Sequence, residues 1–131
     1  MASIGMDLVP MYRRSAAFMA VVVRVLVGIE PQMYREVLAF HLREERPRAE
    51  VVLASPQTLL AEAERTRPHL IVANVVPCEL KEMCFWVEVR TDDGLVATIS
   101  ADGYSTTIDD VSLQDFLAVV DKTEEELVHE S

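Results

Sequence analysis

Three β-branched apolar runs, separated by stretches of helical period, restrict most strongly what this chain can fold into. "VVVRVLVG" (21–28), "AEVVLAS" (49–55) and "HLIVANVV" (69–76) are too short for buried helices. They are apolar on successive positions, so each is expected to be a strand covered on both faces. Between the first two, "PQMYREVLAFHLREERP" sets Tyr34, Val37, Leu38 and Leu42 at helical spacing as the expected inward stripe, with Pro31 suited to a first turn and Pro47 closing the segment. Between the second and third, Ser55 and Pro56 read as the cap and first residue of a helix through "QTLLAEAERTR". Leu59, Leu60 and Ala63 are expected to face inward there, and Pro68 ends it. Short links in strand–helix order imply right-handed crossovers and parallel strands.

After Pro77 the period changes. "CFWVEVRT" alternates, with Phe85, Val87 and Val89 on one face and Trp86, Glu88 and Arg90 on the other. "DDG" (92–94) and "DG" (102–103) are tight-turn signals around "LVATISA", and "YSTTI" can form a further strand. An antiparallel meander with one wet face is expected. Ser112 followed by Asp115 is a helix-start signature before Phe116, Leu117 and Val120. Residues 109–131 hold eight acidic side chains and one basic one. Carboxylates late in a helix oppose its dipole, so that end is expected to fray unless a basic partner docks there.

A chain of 131 residues is sized for one domain, expected at 21–131 with residues 1–20 as a loosely ordered or weakly docked N-terminal arm. "RRSAAFMAVVVRVLV" imitates a secretion signal, but Arg24 interrupts it, no small-residue cleavage site follows, and it is too short to span a membrane. A cytoplasmic location is expected. The net charge of −10 argues against direct nucleic-acid binding. Cys78 and Cys84 fit neither a disulfide framework nor a metal-ligand spacing, and His41, His69 and His129 fall in different elements, so no metal is expected. The four scattered glycines form no phosphate loop, and no cofactor is expected.

"VRVLVGIEPQMYREVLAFHL" and "RPHLIVANVVP" resemble the opening and the third strand of a response-regulator receiver domain, over about residues 22–77. The resemblance implies a βαβαβ parallel half of flavodoxin or receiver type. The antiparallel meander read above departs from the family, whose last strands are parallel with intervening helices. The expected fold class is therefore α/β with that parallel half, then the meander and a C-terminal helix, in a single mixed sheet. The resemblance also implies where chemistry would reside, and the residues there do not support it. Asn74 stands where the family carries its phosphoacceptor aspartate, and a neutral amide is a very poor nucleophile. Gly28 and Ile29 stand where the family's acidic pair holds Mg²⁺. With no proline after Pro77, the family's late Lys–Pro pair is absent. The resemblance therefore implies a pseudo-receiver that takes up no phosphoryl group and has no catalytic residues.

Two readings of Asn74 stand side by side: a degenerate receiver kept for its surface, or a strand-end polar residue that satisfies a nearby backbone group. The first favours a non-catalytic domain for protein–protein interaction or signalling regulation, with a protein partner or self-association. The alternative is a small-molecule-binding or enzymatic domain. It would use the rim at the carboxyl ends of the parallel strands, namely Gly28, Ile29, Glu30, Ser55, Asn74 and Pro77, read as weakly polar and lacking basic residues. Trp86 with Arg90 is a candidate contact surface; otherwise the indole is covered by the closing helix or the N-terminal arm.

Overall fold

The computed structural model describes residues 22–91, 95–101 and 104–130; the expected N-terminal arm and both turn signals, at 92–94 and 102–103, lie outside them. The described residues form strands β1 (Arg24–Gly28), β2 (Glu50–Leu53), β3 (Leu70–Ala73), β4 (Phe85–Arg90), β5 (Val96–Ala101) and β6 (Tyr104–Asp109). Helices α1 (Gln32–Glu45), α2 (Leu59–Thr66), α3 (Cys78–Lys81) and α4 (Leu113–Glu130) connect and close them. The strands lie in the order β2-β1-β3-β4-β5-β6. The first four are parallel, with Leu26 opposite both Val52 and Ile71, and Ile71 opposite Trp86. β5 and β6 are antiparallel additions, with Val87 opposite Ile99 and Thr98 opposite Thr107. The fold is thus α/β with one mixed sheet, and its parallel part follows the 2-1-3-4 order of flavodoxin-like sheets.

The period-two alternation of each strand divides the core. Val25, Val27, Leu70, Val72, Val87 and Val89 point to the face covered by α1 and α4. Leu26, Ile71 and Ala73 point to the face covered by α2 and the short α3, where Leu59, Ala63 and Leu80 meet them. Moving first to β2 and then back across β1 to β3 puts α1 and α2 on opposite faces when both crossovers are right-handed. Each fully buried Val, Leu or Ile contributes about 1.5–3 kcal/mol of transfer free energy, so these paired faces supply most of the driving force.

The inward stripe of α1 differs from the expected one. Leu38, Ala39 and Leu42 are buried, whereas Tyr34 and Val37 are exposed. At 100° per residue the buried arc centres between Leu38 and Ala39, which turns Val37 about 150° away from it. In α2, Leu59 and Ala63 are buried but Leu60 is not. That helix also begins later than Ser55 and Pro56 suggest. Ser55 and Thr58 instead bond each other across a turn, with the Thr58 N–H donating to Ser55 Oγ (3.3 Å) and the Ser55 N–H to Thr58 Oγ1 (3.1 Å).

α4 opens on the expected capping box, the Ser112 N–H donating to Asp115 Oδ2 (2.8 Å) and the Asp115 N–H to Ser112 Oγ (3.4 Å). Its acidic half remains helical to Glu130 because the chain supplies its own cations. Arg46, just past α1, makes a bidentate pair with Asp121, 2.8 Å on each arm, and Arg48 reaches Glu124 at 3.3 Å. The Asp121 hydrogen bond holds the Arg46 guanidinium above its ordinary pKa. Partly exposed pairs of this kind are each worth about 1 kcal/mol or less, and they lie in the middle of the helix, ahead of its last turn.

Candidate functional site

The carboxyl ends of β1 and β3 meet at Asn74, the first residue after β3. Its amide is used at both ends. Oδ1 accepts the Glu30 N–H at 2.7 Å, and Nδ2 donates to the Val89 carbonyl at 2.9 Å. The side chain therefore crosses the end of β3 and ties the segment after β1 to β4, much as one further peptide group would. A primary amide combines one acceptor and one donor at any ordinary pH, whereas an ionised carboxylate is acceptor-only.

Glu88 braces the same loop from below. Its Oε2 accepts the Val76 N–H (2.9 Å) and pairs with Lys81 Nζ (3.1 Å). Lys81 also lies 4.3 Å from the Trp86 ring centroid. Trp86 is half-buried beside Ile71, Leu80 and Cys84, so α3 and the Lys81 stem cover it. The closing helix, expected as a possible cover, lies on the opposite sheet face. Arg90 is exposed at the end of β4.

Gly28 makes room for a helix. A Cβ built there would lie 2.7 Å from Leu59 Cδ1 and 3.5 Å from the Ala54 carbonyl. Leu59 is buried, so α2 closes directly over the end of β1. Ile29, next along, is buried on the other side of the sheet against α1 and α4.

The rim residues are thus only partly brought together. Gly28, Asn74 and Pro77 line a cavity of about 310 Å³ with Pro56, Gln57, Leu59, Leu60 and Val75. Ile29 instead opens onto a separate apolar groove. The Glu30 carboxylate turns to Arg35, whose Nη1 lies 3.0 Å from Glu30 Oε2 and donates to the Ala54 carbonyl at 3.0 Å. The rim therefore does hold a basic group, contrary to expectation, and the Arg35 side chain is only 12% exposed. Its sequence signal was an arginine one helical turn after an acidic residue that precedes the helix. Ser55 is occupied with Thr58, as described.

His69 and Cys84 are engaged as well, while Cys78 is exposed. His69 Nδ1 accepts the Arg24 N–H at 2.9 Å, which fixes the ring at the amino end of β3, far along the strand from Asn74. The Cys84 thiol donates to the Leu80 carbonyl (3.4 Å), and burial pushes its pKa up to about 11, so it stays protonated and unreactive at neutral pH. Among the described residues no group of three His, Cys, Asp or Glu side chains is placed to hold a metal ion, and no helix is long and apolar enough to cross a membrane.

No family model matches the chain, and no curated protein does. Among solved structures the chain is similar to a methionyl-tRNA formyltransferase from Clostridium thermocellum, with a TM-score of 0.46 and 11% identity. The match covers 82% of this chain and 65% of that one, under two thirds of its length. A likeness this distant transfers neither site nor activity.

Proposed function

We propose that this is a receiver-like module without phosphoryl chemistry, a non-catalytic domain serving protein–protein interaction or signalling regulation. One observation supports the lack of phosphoryl chemistry: both amide atoms of Asn74 are committed to backbone partners at 2.7 and 2.9 Å, as the second reading of this residue expects. The group at the phosphoacceptor position is a brace. Its neighbours support this, since Gly28 is filled by Leu59 and Ile29 is buried, leaving two fewer hard oxygen ligands for a divalent cation. The Arg35 guanidinium pairs with the nearby Glu30 carboxylate and adds a positive charge to the same edge. A domain of this kind acts by the shape and chemistry of its surface.

The test is incubation of the full chain with acetyl phosphate and Mg²⁺, followed by intact mass. An unchanged mass is expected; a stoichiometric phosphoryl adduct overturns the reading. A second reading, a small neutral ligand at the rim, draws on the 310 Å³ cavity beside Asn74, whose volume falls at the lower end of small-molecule sites.

A further inference from the structure

The first helix is apolar on two opposite sides. Leu38, Ala39 and Leu42 face the sheet, yet Met33 (65% exposed), Val37 (50%) and Phe40 (57%) form a second arc about 180° away. A helix covered on one side only is ordinarily polar on the other, and one apolar all round is ordinarily buried. The second arc has an internal order. Its residues are spaced by four and then three, the seam spacing of one helix packed on another, and the seam ends at the exposed Glu44, the next position on the same side. Phe40 stacks edge-on with His41 at 5.4 Å between ring centroids, which stiffens this surface.

A hole lies beside the ridge. Met33, Tyr34 and Val37 border a groove of about 280 Å³ that runs to Leu95, Leu113 and Phe116 and is almost wholly apolar. Ridge and hole on a single face are what a two-fold interface requires, since each copy must present both halves of the contact. From the exposures, the arc with Tyr34 and Leu95 presents about 450 Å² of apolar surface, close to the apolar share of a standard footprint of about 800 Å² per partner.

We propose that two copies of this chain associate through this face, α1 against α1 about a two-fold axis, with the Met33–Val37–Phe40 ridge of each seated in the other's groove. The proposal rests on the reading of the domain as a binding module and names its partner. Area alone does not set affinity; the contact is taken as reversible, with a dissociation constant on the order of 10 µM. Because each copy carries a net charge of −10, the dimer tightens as salt rises, opposite to an interface made by ion pairs.

Sedimentation equilibrium of the full chain from about 5 to about 500 µM tests this across the stated affinity range. Expected is a reversible dimer that Val37→Glu and Phe40→Glu each weaken at least tenfold and that Met83→Glu, on the other side of the sheet, leaves intact. Circular dichroism melts check that the variants fold, and Phe40→Ser replaces any that does not. A wild-type monomer throughout overturns the proposal and assigns the face to another protein or to residues 1–21. So does a dimer insensitive to both face variants, or one equally weakened by Met83→Glu. A monomer that takes up no phosphoryl group removes the dimer alone; a phosphorylated dimer removes the functional reading alone.

Discussion

Asn74→Asp destabilises the domain by about 2–3 kcal/mol at neutral pH, the cost of leaving a half-buried acceptor unpaired and setting a charge against it. The substitution is nearly isosteric, so lost packing contributes little. What changes is hydrogen-bonding sense. The oxygen that accepts from Glu30 keeps its partner, while the atom 2.9 Å from the Val89 carbonyl becomes a second acceptor facing an acceptor. The sign of the pH dependence follows. In the folded variant the carboxyl holds its proton more tightly than in the unfolded chain, because only the protonated form can donate to Val89. Such a group gives its stability below the unfolded pKa and loses it as pH rises through the folded one. Urea denaturation of variant and wild type should therefore show a gap that narrows toward about pH 4, near the ordinary aspartate range. A variant as stable as wild type at neutral pH would remove the brace.

Gly28→Asp is expected to be costlier, about 3–5 kcal/mol, because overpacking and burial of an unpaired charge add at one position. A Cβ there lies 2.7 Å from Leu59 Cδ1, so the methylene displaces a buried leucine before any carboxylate is placed. Gly28→Ala isolates the steric part, at about 1–2 kcal/mol. In a Leu59→Ala background most of that steric cost should vanish, giving a coupling energy of about 1 kcal/mol between the two sites. Additive behaviour would mean that Gly28 serves another purpose than admitting Leu59. Together these variants test whether an acidic residue can be accommodated at Gly28 or Asn74, where the space and the hydrogen bonds are already used.

The parallel half was legible because both periods, two and 3.6, are strong over residues 22–77 and the punctuating prolines are well placed. The position of Asn74 at a strand end was legible for the same reason. That it satisfies backbone groups was one of its two readings; which groups was not legible, because Glu30 and Val89 are 44 and 15 residues away and no local pattern links them. The orientation of α1 was misjudged at Tyr34 and Val37 because a helix apolar on two sides satisfies an inward stripe in more than one rotation. The first turn of α1 also hid Arg35, which brings positive charge to an edge read as lacking it. α3 went unseen because four residues, "CELK", carry no measurable period, and with it went the identity of the cover over Trp86, expected as the closing helix or the N-terminal arm. The acidic end of α4 was read without Arg46 and Arg48, 75 and 76 residues away from Asp121 and Glu124.

The amide group of Asn74 itself offers the most direct test. In a ¹⁵N-labelled sample its two side-chain N–H resonances can be followed by NMR, in hydrogen exchange and during titration with MgCl₂. Expected are two well-separated signals, one slow to exchange because it is bonded to the Val89 carbonyl, and neither moving with magnesium. Signals that exchange at the rate of a free carboxamide, or that shift together with the Glu30 amide as Mg²⁺ is added, would contradict the brace.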